Sequence, residues 1–232
     1  MYKRLRIKSK EMKSWDHYWE ENGIRSDRFV YNFVASFYRR FLIKPSLNHF
    51  MKKYFKKNSK VLHAGCGGGE VDMDLQDYLD ITAVDFSQNA LRKYRSRHAK
   101  KCTIINGDVR ALKFKSSSFD GVYNLGVLEH FSEDDIGKVL EGFHRVLKAN
   151  GTLIIFWPPE YGISVLFFKI LVFISGELLN IKNVEFHPVE VSRLRSRTEA
   201  KKIFNDSGFC VIEYKYGIRD LFTNVVIVAR KM

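Results

Sequence analysis

The amino-acid sequence predicts an α/β fold built on a seven-stranded, mostly parallel sheet with an antiparallel last strand, helices on both faces and a helical cap. Between residues 60 and 157, short β-branched or apolar runs alternate with helical stretches, as in consecutive βαβ units. Near the C-terminus, two such runs are separated by only seven residues, which is too short for a crossover helix, so these strands should be antiparallel. The chain has 232 residues, of which 45% are hydrophobic and 28% charged, so it can bury a sizeable core and is not mainly disordered.

The N-terminal residues 1–58 are predicted to form a basic helical cap ahead of an α/β domain at residues 59–232. Residues 1–60 contain 16 Lys and Arg against 5 Asp and Glu, whereas residues 61–157 contain 12 against 13. A basic segment of this kind favours an anionic partner such as nucleic acid or anionic lipid. A solvated helical face that keeps the protein soluble would have the same composition.

Two helices are predicted within this cap. Pro45 is expected to end the first, because proline lacks the N–H that a helix interior requires. A second, basic helix should run to about Lys57. The apolar face of the first helix is defined by aromatic residues spaced four positions apart, namely Phe29, Phe33, Phe37 and Phe41.

The rest of the chain reads as strands joined by helices. Seven apolar, β-branched runs are predicted as strands, at residues 61–64, 81–86, 102–106, 119–125, 152–157, 209–216 and 224–230. The helices between them are predicted from about Glu70 to Leu79, after Ser87 as N-cap, from about Asp134 to Leu147, and from Thr198 as cap to Gly208. Strands that alternate with helices in this way indicate a buried parallel sheet.

An apolar helical insertion is predicted at about residues 160–195. Its segment 163–175 contains a single charged residue, Lys169. A helix of that length spans about 20 Å, which is shorter than a bilayer core of about 30 Å, so it is not predicted to cross a membrane. It is either a buried lid that forms an acceptor pocket or an exposed helix that docks on a membrane surface.

A glycine-rich loop follows the first predicted strand. Gly65, Gly67 and Gly69 let the backbone turn tightly and approach a ligand with no side chain between them. The spacing is GxGxG. It lacks the third glycine of a dinucleotide-binding GxGxxG, whose place is taken by Glu70, and it lacks the GKS or GKT of a Walker loop.

Two carboxylates follow the next two predicted strands. Asp85 lies 20 residues after Gly65, where an acidic residue can accept hydrogen bonds from both hydroxyls of a ribose. Asp108 follows the third strand, where a carboxylate could accept from an exocyclic amine. Ligands of open α/β sheets bind at the carboxyl ends of the strands, so the three features together indicate a nucleoside ligand.

The chain resembles a class I S-adenosylmethionine-dependent methyltransferase over about residues 60–157, and in particular the small-molecule branch whose fourth strand runs into a VLEH segment. The resemblance is carried by VLHAGCGGG, AVDFS, NGDV, SFDGVYNLGVLEHF and FHRVLKANGTLII. It implies a Rossmann-like sheet with an added antiparallel seventh strand and S-adenosyl-L-methionine as the cofactor. It also implies that the aromatic segment SWDHYWEENG at residues 14–23 is a helix that folds over the cofactor.

The resemblance assigns cofactor binding to a set of strand-end residues. The glycines would cradle the methionine part of the cofactor, and Asp85 would bind its ribose. Asp108 and Val109 would face the adenine, and Asn124 and Leu125 would lie near the sulfonium. The family usually has Asp or Glu where this chain has His63, and Glu70 is the nearby acid that could supply the missing charge. The complete set is His63, Gly65, Cys66, Gly67, Gly69, Asp85, Phe86, Asp108, Val109, Asn124 and Leu125.

Glu129 and His130 are the candidate catalytic residues. They follow the fourth strand, where an acceptor would meet the methyl group, and an imidazole has an ordinary pKa suited to a general base. The alternative is that Glu129 pairs locally and His130 packs in its loop. His187 is a second candidate base.

The sequence therefore predicts an enzyme that transfers a methyl group from S-adenosylmethionine to a small or lipid-like acceptor. Two alternatives remain: an RNA or DNA methyltransferase that uses the basic N-terminal segment, and a non-catalytic methyltransferase-like binding protein. The three cysteines are far apart and form no CxxC pair, so neither a disulfide framework nor a metal site is predicted, and a reducing cytoplasm is the expected compartment, with possible peripheral contact to a membrane.

Overall fold

The computed structural model describes residues 14–20, 36–98, 102–160, 190–220 and 222–232. Within these ranges, seven strands form one sheet in the order β3-β2-β1-β4-β5-β7-β6. The strands are β1 (Lys60–Ala64), β2 (Asp80–Asp85), β3 (Thr103–Asn106), β4 (Phe119–Leu125), β5 (Leu147–Trp157), β6 (Phe209–Tyr216) and β7 (Val225–Lys231). All seven lie at their predicted places, and β5 begins earlier than predicted.

The sheet has one antiparallel strand. β1 to β5 pair in parallel, and β7 pairs antiparallel with both β5 and β6. The predicted mostly parallel sheet with an antiparallel last strand is confirmed. β2 and β4 flank β1, so the winding direction of the chain reverses at β1, and this reversal opens a crevice at the carboxyl ends of β1 and β4.

Helices cover both faces of the sheet, as predicted. The helical segments are α1 (residues 14–20), α2 (Lys44–Tyr54), α3 (Gln88–Arg97), α4 (Glu133–Val146) and α5 (Arg197–Asp206). Neighbouring residues of β1 point to opposite faces. Leu62 packs in a cluster with Phe143 of α4 and Phe204 of α5, whereas Val61 packs with Phe50 of α2 on the other face.

The predicted helix from Glu70 to Leu79 is wrong. That segment contains only a short 3-10 turn, Met73–Leu75. The reason is Asp72, whose side chain is fully buried and accepts hydrogen bonds from three other parts of the chain. These bonds fix the backbone path here in place of the i→i−4 bonds of a helix.

Two predicted helix ends are also corrected. Pro45 does not end a helix: residues 36–54 are continuously helical, and Arg39–Ile43 widens into a π-helical turn just before α2, which has Pro45 in its first turn. The cap of α5 is Ser196, not Thr198, because the Ser196 side chain accepts from the N–H of Glu199. The predicted cap of α3 is confirmed, since Ser87 Oγ accepts from the N–H of Ala90.

Part of the predicted N-terminal cap packs into the core of the sheet. Leu47 and Met51 of α2 are fully buried. Phe37 and Phe41, predicted on an apolar helix face, are 53% and 56% exposed, and Phe29 and Phe33 lie outside the described residues. The division of the chain near residue 58 stays a prediction.

The predicted apolar insertion falls largely outside the described residues, as do its segment 163–175 and His187. Among the helices that the structure describes, none combines the length and the apolar character needed to span a bilayer.

Candidate functional site

The glycine loop turns back over the end of β2. The N–H groups of Gly65 and Cys66 both donate to the carbonyl oxygen of Val84, at 2.8 and 3.0 Å. Gly65, Gly67 and Gly69 have φ values of +70°, +51° and +67°, in the left-handed region where a side chain is strained. The sequence expectation that this loop needs glycine at these three positions is confirmed by the backbone.

Asp85 ties the glycine loop to β2. Its Oδ2 accepts from the N–H of Gly67 and its Oδ1 from the N–H of Ser87, both at 2.9 Å. The side chain is buried, and burial raises the pKa of this carboxyl despite those two backbone bonds. Each carboxylate oxygen keeps a second lone pair, so Asp85 can still accept from the hydroxyls of a bound ribose.

The end of β3 lies beside the end of β2. The N–H of Gly107 donates to the carbonyl of Asp85 at 3.0 Å, and the Asn106 side chain donates to the carbonyl of Phe86 at 2.9 Å. Asp108 is half-buried and accepts from the guanidinium of Arg110 at 3.1 Å. Val109, the next residue, is buried in the same hydrophobic cluster as Leu62 and Phe143.

Asn124 lies on β4, next to β1. Its Nδ2 donates to the carbonyl of Ala64 at 2.5 Å, which fixes the side chain across the crevice. Its Oδ1 is buried and has no hydrogen-bond partner among the described residues. Leu125 follows and is half-buried. A buried acceptor without a donor is costly unless a ligand supplies one, so Asn124 is a candidate ligand contact.

Glu129 and His130 form a 3-10 turn after β4 with Leu128. The side chain of Glu129 is only 4% exposed, and burial raises the pKa of its carboxyl to about 8. Its Oε2 has no partner among the described residues, and its Oε1 would lie 3.6 Å from a Cβ on Gly126, at the end of β4. Burial therefore favours the protonated form of this carboxyl, which lies beside the end of β4.

The helix α1 lies across the mouth of this crevice. A Cβ on Gly67 would come within 2.7 Å of the Trp19 ring, and the ring of Trp15 contacts that of His130 edge-on at 4.8 Å. Between them, Asp16 accepts from the hydroxyl of Ser87 at 2.5 Å. The helix therefore spans the site from the glycine loop to the turn after β4, and its closure over a cofactor stays a prediction.

A buried carboxylate under the loop was missed by sequence reasoning. His63 Nδ1 lies 2.7 Å from Asp72 Oδ2, so an acid does stand next to residue 63 in space. Glu70, the acid expected to supply this charge, binds Ser36 and pairs with Arg39, and its role toward a cofactor stays a prediction. The sequence contains one weak signal of this buried carboxylate. Tyr94 and His98, which both contact it, are four residues apart and so lie on one face at the end of α3.

Comparisons with known proteins bear on this arrangement. Residues 61–151 match the family model described as a methyltransferase domain. The chain is 27% identical over 151 residues, 63% of its own length, to the eEF1A lysine and N-terminal methyltransferase of Bos taurus. It is 31% identical over 148 residues to an uncharacterised protein of Methanocaldococcus jannaschii. It spans only 20% of the bovine protein and 60% of the archaeal one.

Residues 61–151 are therefore similar to a methyltransferase domain. The fold agrees, since the structure of a magnesium protoporphyrin IX methyltransferase from Synechocystis PCC 6803, solved with bound SAH, superposes with a TM-score of 0.64 at 16% identity, covering 97% of this chain and 95% of that one. The Rossmann-like fold is thereby confirmed, and the match of residues 61–151 supports the resemblance to methyltransferases, which implies S-adenosylmethionine as the cofactor.

The residues of the methyltransferase domain fit this cofactor. The left-handed glycines turn the loop back over the end of β2, and the absence of a side chain at Gly67 leaves room for the ring of Trp19. Asp85 has lone pairs left at the end of β2, and the unpartnered Oδ1 of Asn124 offers another acceptor nearby.

Proposed function

We propose that this protein transfers a methyl group from S-adenosylmethionine to a small or lipid-like acceptor. The cofactor supplies an electrophilic methyl group when bound, so most of the rate must come from holding the acceptor in line with it. The observation that carries the proposal is Glu129, a buried carboxyl beside the end of β4 whose Oε2 has no hydrogen-bond partner among the described residues. In this proposal the strand-end residues from His63 to Leu125 that the resemblance assigns hold the cofactor, and Glu129 and His130 serve the acceptor.

Glu129 has the properties of a general base. A base works best when its pKa is near the working pH, and burial places the pKa of Glu129 at about 8. At a pH near 8, where about half of the Glu129 carboxyl is ionised, its unpartnered Oε2 can accept a proton from an acceptor hydroxyl or amine. His130 lies one residue further along the same turn, with its ring against Trp15, and would shape the wall on which the acceptor rests.

The path of the chain favours a lipophilic acceptor. The N–H groups of Val191 and Ser192 donate to the backbone carbonyl of Glu129 at 2.7 and 2.9 Å. The N–H of Glu160 donates to the backbone carbonyl of Leu194 at 2.9 Å. The described residues on either side of the segment 161–189 therefore lie beside the proposed base. Because its stretch 163–175 has a single charge, we propose that it supplies an apolar acceptor pocket.

The acceptors in the names of the similar proteins differ: protein lysine and N-termini in one, a magnesium porphyrin in another. The acceptor class proposed for this chain therefore rests on its own residues.

A cytoplasmic location with peripheral membrane contact belongs to the same proposal. It is supported by the basic N-terminal segment next to the exposed rings of Phe37 and Phe41.

The test is a turnover assay that detects S-adenosylhomocysteine in the presence of acceptor panels of increasing apolar character. Turnover with lipophilic hydroxyl or amine compounds, reduced at least about tenfold in Glu129→Gln, would support the proposal. Equal turnover in Glu129→Gln would remove Glu129 from the chemistry. Turnover only on polar metabolites would refute the acceptor class.

Two outcomes of the same assay would favour the alternatives. Methylation of RNA or DNA, with binding that weakens steeply as salt rises, would make this a nucleic-acid methyltransferase that uses its basic N-terminal segment. Tight binding of S-adenosylhomocysteine without turnover on any panel would indicate a non-catalytic binding protein. The alternative without turnover was motivated by the lack of an acid at His63, and Asp72 Oδ2 lies 2.7 Å from Nδ1 of that residue.

A further inference from the structure

The helix over residues 36–54 presents apolar side chains to solvent at its N-terminal end. Phe37 and Phe41 are 53% and 56% exposed, and their ring centroids lie 4.5 Å apart. The guanidinium of Arg40 lies 5.9 Å from the centre of the Phe41 ring, so a positive charge stands beside the exposed rings. Large apolar side chains that remain exposed together, with polar groups around them, are typical of a surface that contacts a partner.

A third exposed apolar side chain lies against the same end of this helix. Ile218, in the 3-10 turn Ile218–Asp220 after β6, is 76% exposed. The turn packs beside the π-helical turn Arg39–Ile43. The hydroxyl of Tyr38 donates to Oγ1 of Thr223 at 2.7 Å, which ties the helix to the loop between β6 and β7. Ile218 and the two phenylalanine rings are therefore held close together.

Positive charge surrounds these apolar side chains. Residues 36–57 contain seven Lys and Arg and no Asp or Glu. Arg219 follows Ile218 and is exposed. Partial burial lowers the pKa of His49 in α2, and the positive charges of Arg219 and Lys53 lower it further. Acids from other segments pair with three of the seven cations, namely Arg39, Lys44 and Lys53. The surface keeps a net positive charge after these pairs are counted.

This surface lies at the edge of the sheet that carries the crevice. Arg39, near the start of the helix, pairs at 3.4 Å with Glu70, the residue after the glycine loop. β7 begins at Val225 opposite Trp157, the last residue of β5, so the loop before β7 lies where β5 ends. The exposed side chains at this edge are called the edge patch: Phe37, Arg40, Phe41, Ile218 and Arg219.

The composition of the edge patch fits an anionic lipid surface better than a nucleic acid. Aromatic rings can stack on bases, but an exposed isoleucine has no such partner and gains only from leaving water. A bilayer accepts both kinds of side chain. Its acyl chains receive the apolar groups, and its phosphate headgroups attract the cations.

We propose that the edge patch docks on an anionic lipid bilayer and turns the mouth of the crevice toward the membrane. Because the patch and the carboxyl ends of β1 and β4 share one edge of the sheet, docking brings the end of β4 and Glu129 to the lipid side. A lipid-like acceptor then reaches the crevice without crossing water. The acceptor rests on the proposed function, whereas docking is a property of the surface and needs no turnover.

The first arm of the test measures co-sedimentation of the full chain with lipid vesicles. We expect binding to phosphatidylcholine vesicles that contain about one third phosphatidylglycerol, and roughly tenfold weaker binding to phosphatidylcholine alone. Replacing both arginines, Arg40→Gln with Arg219→Gln, should weaken binding to the anionic vesicles by at least about tenfold, since each cation near the surface contributes roughly fivefold. Lys201→Gln with Lys202→Gln, which removes two exposed cations of α5, is the matched control and should bind as the unchanged chain does.

A second pair of variants tests the apolar part of the edge patch. Ile218→Ser should weaken binding to the anionic vesicles by about fivefold or more, because the lost side chain no longer leaves water on docking. Ile212→Ser is its matched control. Ile212 is also exposed, at 45%, but lies within β6 and outside the edge patch, so this variant should bind normally.

A second arm uses NMR on the unchanged chain. In bicelles of the anionic composition that carry a spin-labelled lipid, the amide signals of Phe41 and Ile218 should broaden. The amide signal of Lys201, on α5, should stay sharp. This measurement needs no variant, so it decides the docking surface even where a substitution disturbs folding.

The possible outcomes separate docking from the proposed function. Equal binding to neutral and anionic vesicles, or binding that neither the arginine pair nor Ile218→Ser weakens, would overturn docking by the edge patch. Binding of single-stranded RNA without binding of vesicles would overturn it in favour of a nucleic acid. Docking as predicted, without methylation of any lipophilic compound, would refute the proposed acceptor class and support docking. Turnover on dispersed lipophilic acceptors without vesicle binding would do the reverse.

Discussion

The N–H of Gly67 donates to the carboxylate of Asp85 at 2.9 Å, so the glycine loop after β1 and the end of β2 form one unit. The two residues are 18 positions apart and meet only because β1 and β2 pair in parallel. A carboxylate that shapes the loop and also faces the crevice links the geometry of the loop to ligand binding.

Asp85→Ala should abolish cofactor binding. The substitution removes the acceptor for Gly67 and the acceptor proposed for the ribose, so we expect affinity for S-adenosylhomocysteine to fall about a hundredfold or more. Calorimetric titration measures it. Asp120→Ala, which removes a half-exposed carboxylate paired with Lys148, is the matched control and should bind normally. Unchanged affinity in Asp85→Ala would remove this residue from the site.

Gly69→Ala should destabilise the protein. Gly69 has φ of +67° and its added Cβ would lie 2.5 Å from His98 and from Tyr94, so the substitution adds both strain and overlap. We expect the free energy of unfolding to fall by about 1–3 kcal/mol. Gly137→Ala is the matched control, because nothing lies within 4 Å of its Cβ in α4, and it should stabilise by about 0.5–1 kcal/mol. Chemical denaturation of both variants checks the contrast.

Glu129→Gln should change how stability depends on pH. Burial raises the pKa of Glu129 from 4.5 to about 8, so the folded state holds this proton more tightly than the unfolded chain does. The stability that this group contributes is complete below pH 4.5 and is lost as the pH rises to about 8. Between those values the wild type should lose stability relative to Glu129→Gln, by an amount on the order of a few kcal/mol.

The measurement is a set of urea unfolding curves for both proteins across this range. A constant difference from pH 5 to pH 8 would contradict a buried, neutral Glu129.

Asp72→Asn should be strongly destabilising. The amide cannot accept four hydrogen bonds, and its NH2 group would face donors, so the unfolding free energy should fall by about 3–5 kcal/mol at pH 7. Since the pKa of Asp72 is depressed in the folded state, its contribution is present at neutral pH and begins to be lost below the ordinary value of about 3.9. The difference between the two proteins should therefore narrow in acid. Tyr78→Phe, which removes a bond to the carbonyl of Phe55 away from this network, is the matched control.

The strands were predictable because each is a local pattern. A run such as residues 119–125 combines β-branched and aromatic residues over the length of one strand, and its place in the sheet follows from the alternation with helices. Sequence patterns also identified the cap of α3, because Ser87 immediately precedes the helical residues.

The errors arise where distant residues decide the backbone. Residues 70–79 have a helical composition, yet the hydrogen bonds of Asp72 to β1, β4 and α3 override it. Thr198 and Ser196 are both good capping residues, and the choice depends on which hydroxyl reaches the N–H of Glu199. Composition cannot distinguish such cases.

The sequence by itself determined the α/β fold, the glycine loop and the carboxylate at the end of β2, and these features already indicated the cofactor. These are local patterns, and their positions follow from strand order alone. Only the tertiary structure decided that Asp72 is buried against His63 beneath the loop and that burial raises the pKa of Glu129. The charge of a side chain depends on its burial and on its neighbours in space, and both are set by packing between elements that are distant in the sequence.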